Sequence, residues 1–243
     1  MSNGPIVATR RLDEIISSNI LPFPLAELQR SDIEEAVLSD RWAWFLEVGV
    51  GKTVCSTLTA MAWNEDHTLV LTPPIILDAW AEWLASIGEK DVSIYRGPQR
   101  TPSMLNHKWV LMSHAIFRDS FATIEDFYRS KSYSIILDEA QWAKNPESKL
   151  YKNLYKLAQP DHRVQMLTGT PTSKPQDTYT YMRIKSPGLY RSNGHWRNLH
   201  VAEVDQFKQI TKYQNLELLA DNFALNSVKR TKAEVFGHNL TPI

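Results

Sequence analysis

The segment Leu46-Glu47-Val48-Gly49-Val50-Gly51-Lys52-Thr53 carries residue types suited to holding a polyphosphate. Glycines let backbone N–H groups turn inward on an anion, and a helix beginning at such a loop adds its positive end. At this spacing Lys52 reaches the β- and γ-phosphates and the Thr53 hydroxyl serves Mg2+, while Val48, Gly49, Val50 and Gly51 form the cradle. The full pattern G-x-x-x-x-G-K-[ST] is incomplete, because Leu46 stands at its first glycine. A surface turn is the competing reading, weakened by the apolar run before and the helical stretch after. A second group, Ile135-Ile136-Leu137-Asp138-Glu139-Ala140-Gln141, places two acids at the end of an apolar run, where open α/β sheets bind ligands. Asp138 there suits Mg2+ through a water, and Glu139 suits orienting and deprotonating an attacking water. Taken alone, the pair is equally a helix N-cap and a first-turn acid that favours the helix dipole. Together with the phosphate loop it predicts triphosphate hydrolysis, with Lys52, Asp138 and Glu139 as the catalytic set.

Those residues need a scaffold, and the chain spells one out. Trp42–Leu46, Thr68–Leu71, Trp109–Met112 and Tyr133–Leu137 are apolar runs, each followed by small or polar residues. Arg163–Leu167, ending at Thr168-Gly169-Thr170-Pro171, is a fifth, and a further short strand is expected at Asp91–Tyr95. Their hydrophobicity is continuous rather than alternating, which suits strands covered on both faces, as in a parallel sheet. Between them Ile76–Ile87 sets Leu77, Trp80, Trp83 and Leu84 on one helical face, with Gly88 as terminator; Thr53–Trp63 and Ser148–Leu157 are likewise helical. The alternation predicts a doubly wound α/β domain. Val201–Phe236, without Gly or Pro, is expected to be mainly helical. Arg183, Lys185, Arg191 and Arg197 are spread through what reads as a solvated loop region, whereas Lys229, Arg230 and Lys232 form the densest basic cluster.

Composition excludes several function classes. With 43% hydrophobic and 22% charged residues over 243, the chain is neither a disordered tail, a collagen-like rod nor a disulfide scaffold. Its 27 basic residues are balanced by 27 acidic ones, so it is no histone-like polycation, although a local basic groove fits within a neutral total. The single Cys55 cannot form an internal disulfide, consistent with a reducing compartment. The seven histidines show no H-x-x-x-H spacing, so no protein-held zinc is expected. No apolar run approaches the ~18–20 residues that span a bilayer, and the N-terminus lacks a secretory pattern. The expectation is a soluble cytoplasmic protein with no membrane partner.

Gly49-Val50-Gly51-Lys52-Thr53, Asp138-Glu139-Ala140-Gln141 and Leu167-Thr168-Gly169-Thr170-Pro171 resemble motifs I, II and III of superfamily-two helicases. The nearer resemblance is to the Swi/Snf branch of double-stranded-DNA translocases. Lys144-Asn145-Pro146 is similar to its K-N-P extension, Leu46–Thr53 to its D-E-M-G-L-G-K-T, and Val228–Val235 to the L-R-R-T-K-x-x-V that closes its first motor lobe. The likeness runs from about Phe23 to the C-terminus, leaving 1–22 as an N-terminal segment and 23–243 as one lobe. It implies a P-loop, RecA-like fold, a central, mostly parallel sheet with helices on both faces, binding ATP with Mg2+. It also implies further roles: Gln29 reading adenine; Gln141, Thr168, Gly169 and Thr170 coupling the nucleotide site to movement; and Thr72, Pro73, Ser113 and His114 contacting DNA phosphates. Gln141 stands where His is commoner, which points to the bacterial or viral side of the family, with host cytoplasm as the location in the viral case.

The resemblance further implies a second RecA-like lobe, in a longer chain or in trans, carrying the arginine fingers. Because such a finger contributes ~10³–10⁵ in turnover, 1–243 alone is expected to bind ATP and hydrolyse it slowly. Two other readings of the same residues are a nucleotide-binding module that regulates a partner motor, and a lobe of an RNA helicase.

Overall fold

The computed structural model describes residues 5–159 and 161–237. The five long apolar runs become strands β1 (Arg41–Leu46), β2 (His67–Thr72), β4 (Trp109–Ser113), β5 (Tyr133–Asp138) and β6 (Arg163–Leu167), every residue of which is buried. β3 (Val92–Ile94) is the short strand expected near Asp91–Tyr95. With β9 (Ser227–Arg230) they form a seven-stranded sheet in the order β3-β4-β2-β5-β6-β1-β9. Each pairing in this sheet is parallel.

Burial on both faces explains the unbroken hydrophobicity. Along β1, Trp42, Trp44 and Leu46 join one core cluster, while Ala43 and Phe45 join the other. The first cluster is covered by α1 (Pro5–Ser17), α2 (Glu27–Val37), α3 (Lys52–Trp63) and α4 (Leu77–Ser86). The second is covered by α5 (His114–Asp119), α6 (Phe121–Tyr128), α7 (Lys149–Leu157) and α8 (Thr178–Lys185). Helices therefore lie on both faces of the sheet, as expected. Gly88 follows α4 at φ +87°, the left-handed conformation a glycine terminator adopts readily. Ser148 caps α7, its hydroxyl accepting from the Tyr151 N–H. Segment 1–22 contributes α1, whose Ala8 and Leu12 are fully buried and whose Arg11 donates to the Ala62 carbonyl at 3.1 Å.

Two expectations are corrected. Val201–Phe236 is not mainly helical: it holds β7 (Val201–Val204) and β8 (Ile210–Tyr213), α10 (Leu216–Ala224), β9 and α11 (Lys232–Phe236). β7 and β8 form an antiparallel hairpin, and four-residue strands are too short for their period to register in the sequence. β9 is a strand because β1 offers it a parallel partner, from Ala43 opposite Ser227 to Leu46 opposite Arg230. Tertiary pairing overrides a weak local signal there. Nor are Arg183, Lys185 and Arg197 in a loop: the first two belong to α8, where Lys185 is 1% exposed, and Arg197 lies on α9 (Asn193–His200).

Candidate functional site

The phosphate loop leaves β1 at the carboxyl edge of the sheet and enters α3. Two left-handed glycines shape it, Gly49 at φ +86° and Gly51 at φ +93°. Val50 donates its N–H to the Glu47 carbonyl at 3.1 Å, closing the turn. A side chain at Gly51 is excluded by space as well as by backbone, since a Cβ there would stand 2.6 Å from Gln29 Nε2. Gln29 is itself buried on α2; its Nε2 donates to the Val50 carbonyl at 2.8 Å, and its Oε1 accepts from the Ala26 N–H at 2.9 Å. Its amide thus braces the loop from behind. Lys52 opens α3 and turns its Nζ back to the Leu46 carbonyl at 3.0 Å. Burial lowers the pKa of this ammonium, while the nearby Glu139 and Asp138 carboxylates pull it upward. The cation therefore sits in the field of both acids.

Asp138 is the last residue of β5, and its carboxylate is held from three sides. Oδ1 accepts from the Glu139 N–H at 2.9 Å; Oδ2 accepts from the Thr72 hydroxyl at 3.1 Å and from the Trp80 indole N–H at 2.9 Å. Glu139 follows in the left-handed region at φ +51°, which turns its side chain out of the strand. From it runs a chain of hydrogen bonds. Gln141 Nε2 donates to Glu139 Oε2 at 2.6 Å, the Thr168 hydroxyl donates to Gln141 Oε1 at 2.7 Å, and the Thr170 N–H donates to the Thr168 oxygen at 3.0 Å. The loop after β6 also touches the phosphate loop, because a Cβ on Gly169 would lie 3.4 Å from the Leu46 carbonyl. The three sequence motifs thus meet at one place.

The four expected phosphate contacts are placed differently. Thr72 is fully buried and its hydroxyl is taken by Asp138. Ser113 is buried and caps α5, accepting from the Ile116 N–H at 3.2 Å. His114 is buried, with Nε2 facing the Asp138 carbonyl at 2.9 Å and the Leu71 carbonyl at 3.2 Å. Two carbonyl acceptors require the proton on that nitrogen, and burial holds the ring's pKa below its ordinary value, so the neutral form prevails near pH 7. Thr72 and His114 hold Asp138 while Ser113 caps α5, and none of the three side chains offers itself at the surface; Pro73 alone of the four is partly exposed. The reason is geometric, because strand-end residues point inward or outward by a period of two and the sequence gives no phase at the last position.

Residues that the sequence reading assigned to other roles also belong here. Trp80 fits the helical core stripe and is 2% exposed, yet its indole N–H fixes Asp138. Arg230, in the basic cluster, is consumed by Asp32 of α2 through contacts at 3.0 and 2.6 Å. Beside the site, a cleft of about 720 Å³ runs between Lys144-Asn145-Pro146 and the α9–β8 region, with Lys174, Arg197 and Lys208 on its walls. Trp142 is 61% exposed next to the paired acids.

Among the described residues no group of three or more His, Cys, Asp or Glu side chains could hold a metal unaided. A hydroxyl and one carboxylate are, however, what Mg2+ takes from a protein when nucleotide phosphates and waters complete its shell. Asp138 Oδ1 accepts only one hydrogen bond and keeps a lone pair, so Thr53 and Asp138 fit that ion.

A family model described as SNF2-related domain matches residues 34–242. A SWI/SNF-related matrix-associated actin-dependent regulator of chromatin subfamily A-like protein 1 of Xenopus tropicalis is 26% identical over 195 residues, covering 76% of this chain and 19% of that protein. The chromatin-remodeling ATPase INO80 of Candida albicans is 24% identical over 216 residues, covering 79% of this chain and 15% of its own length. The chain thus spans less than a fifth of the length of these relatives. Two solved structures of the Sulfolobus solfataricus SWI2/SNF2 ATPase core share the fold at 21% identity. The core in complex with dsDNA superposes with a TM-score of 0.71 over 86% of this chain and 45% of that one, and the core domain with 0.66 over 92% and 48%.

Proposed function

The chain belongs to the SNF2-related domain family, and from that premise we propose that it is the ATP-binding first lobe of a motor that couples ATP hydrolysis to movement along double-stranded DNA. The observation that carries the reading is the unbroken chain of hydrogen bonds from Glu139, whose charge acts on Lys52 of the phosphate loop, through Gln141 and Thr168 to Thr170. Such a chain links the group that activates water to a loop that can respond to DNA, which a passive nucleotide pocket does not need.

The chemistry follows from the side chains. The loop amides between Glu47 and Lys52 and the Lys52 ammonium take the phosphates, and Gln29, braced on Val50, stands beside the loop to read the adenine edge. Thr53 and Asp138 hold Mg2+, which when bound neutralises charge on the phosphates. Glu139 accepts the proton of the attacking water, with Gln141 fixing its carboxylate. Trp80 and Thr72 keep Asp138 in one orientation, so the metal-side acid is set before nucleotide arrives. The second lobe supplies the arginine fingers, so hydrolysis by 1–243 alone is slow. Gln141 in place of His supports a place on the bacterial or viral side of the family. The 23–243 span acts as one lobe, with 1–22 packed onto it through α1.

Duplex DNA lies along the basic cleft, where Lys144, Lys174, Arg197 and Lys208 meet phosphates, and stimulates the ATPase of the full-length protein. Stimulation by RNA above that by duplex would favour an unwinder of RNA, and none by either would leave only a regulatory module. Thr168→Val tests the coupling role separately. It keeps the side-chain shape but loses the donor to Gln141 and the acceptor for the Thr170 N–H, so DNA stimulation should fall by about tenfold with ATP affinity within about twofold, since each such bond is worth ~1 kcal/mol. Parallel titrations of rate against DNA and of binding against nucleotide separate the two.

A further inference from the structure

The end of the described chain returns to the phosphate loop. β9 pairs with β1 in register through Leu46 opposite Arg230, and the ladder goes one step further: the Glu47 N–H donates to the Arg230 carbonyl at 3.0 Å. Glu47 then turns its carboxylate onto the chain beyond, accepting the Lys232 N–H at 2.8 Å. The turn between is fixed by Thr231, which caps α11 and shares a reciprocal pair of bonds with Glu234. Arg230, clamped to the buried Asp32, ties the same strand end to α2, the helix that braces the loop through Gln29. The backbone at Arg230 and Lys232 is therefore tied to the phosphate loop through Glu47 and to α2 through Asp32.

The Lys232 side chain lies across Gly49. A Cβ on that glycine would stand 2.9 Å from Lys232 Cε and 3.3 Å from its Nζ. Gly49 thus serves two needs at once, a left-handed φ and room for a lysine over its Cα. Among the described residues the Lys232 ammonium has no ion pair, whereas those of Lys144, Lys152, Lys156 and Lys212 do. An exposed cation held against a phosphate loop, with its backbone anchored on Glu47 and no carboxylate paired with its ammonium among the described residues, is arranged for an anion that arrives from solvent.

Resting on the nucleotide site proposed above, we propose that Lys232 is a second phosphate-binding lysine, which contacts the polyphosphate of the bound nucleotide from the outer side of the loop while Lys52 does so from the inner side. The segment that closes the lobe thereby reads whether the loop is filled. Glu47 sets the register: its carboxylate holds the Lys232 backbone and leaves the side chain to reach the phosphates.

The test is affinity of the full-length protein for ADP and for the non-cleavable analogue AMP-PNP, by calorimetry. Lys232→Ala should weaken both by about three- to tenfold, the range for a charged contact in partial solvent. Lys232→Arg should restore binding to within about twofold. The deficit of the alanine variant should shrink as salt rises from ~0.05 to ~0.5 M, because the contact is one of charge. Unchanged affinity in Lys232→Ala overturns the inference, and so does a loss that neither Arg nor salt alters, since that would mark packing on Gly49 instead. Lys52→Ala keeps the two readings apart. If the wild type binds and Lys52→Ala does not, an indifferent Lys232→Ala defeats this inference alone; if the wild type itself binds neither nucleotide, both readings fall.

Discussion

Glu139→Gln in the full-length protein is expected to lower ATP turnover by ~10²–10⁴ while leaving ATP affinity within about threefold, the range a positioned general base contributes. Lys52→Ala is expected to do the reverse in emphasis, weakening nucleotide binding by about 10- to 100-fold, as loss of a charged hydrogen bond to phosphate implies. The structure says why the glutamine variant is clean. Glu139 sits at φ +51°, a strained position, and Gln bears that strain no differently from Glu. Among the described residues its side chain accepts one hydrogen bond, from Gln141 Nε2 at 2.6 Å, which survives because a Gln amide still presents an oxygen there. What is lost is the basicity, together with the negative charge that Lys52 faces. Lys52, by contrast, is half-buried against Leu46 and lies in the field of Asp138 and Glu139; its removal leaves two acids facing incoming phosphate with no cation between. Single-turnover rates beside calorimetric affinities separate the roles. Equal loss of affinity in both variants would contradict the assignment, and a Glu139→Gln enzyme at wild-type rate would remove Glu139 from the chemistry.

What could be read beforehand, and what could not, divides along a physical line. The strands from Trp42, Thr68, Trp109, Tyr133 and Arg163 were legible because burial on both faces leaves an unbroken apolar run. The turn after β1 and the acids at the end of β5 were legible because a left-handed turn favours glycine at Gly49 and Gly51 and the apolar run stops at Asp138. Contacts made across the fold left no local trace. Trp80 occupies an apolar stripe position and looks like core; that its N–H reaches Asp138 depends on how α4 lies against β5. Thr72 is a polar residue at the end of β2 and His114 one at the start of α5, and nothing in their neighbours says that they turn inward to the acid edge. Arg230 reads as a surface charge until β9 is known to pair with β1, which brings it to Asp32 from the far end of the sequence. Local rules fix the chemistry of each motif, and long-range pairing decides which neighbours orient it.

Lys185→Met is expected to stabilise the protein at pH 6 and to lose that advantage as pH approaches 10. Lys185 ends α8, is 1% exposed, and among the described residues has no carboxylate partner. Its ammonium donates to the Leu225 carbonyl and lies 5.4 Å from the centre of the Phe223 ring. The adjacent Ile184 carbonyl is already taken by Arg41, so this end of the helix holds a second cation, not an acid. Burial pushes the pKa of Lys185 down from its ordinary 10.5 to about 7. The folded-state value is the lower one, so between these limits the unfolded chain binds more protons and stability rises with pH. Below about pH 7 the folded protein carries the whole cost of the buried charge. At 1.36 kcal/mol per pKa unit that cost is on the order of 5 kcal/mol, reduced in the variant by the Leu225 carbonyl left without its donor. The expected gain is therefore ~2–3 kcal/mol at pH 6 and about zero or slightly negative at pH 10. Urea unfolding of both proteins across that range isolates the effect, because the difference cancels every other titrating group. The site matters beyond stability: Asn226, next to Leu225, donates to the Lys185 carbonyl at 3.2 Å and offers its own carbonyl to Ala43 at 2.9 Å, which starts the β9–β1 ladder. A buried lysine that costs stability here fixes where β9 begins, and β9 delivers Arg230 to Asp32 and Lys232 to the phosphate loop. A stability gain in Lys185→Met that stayed constant from pH 6 to 10 would show the same pKa in the folded and unfolded states, a lysine charged in the fold throughout, and the argument from its lowered pKa would fail.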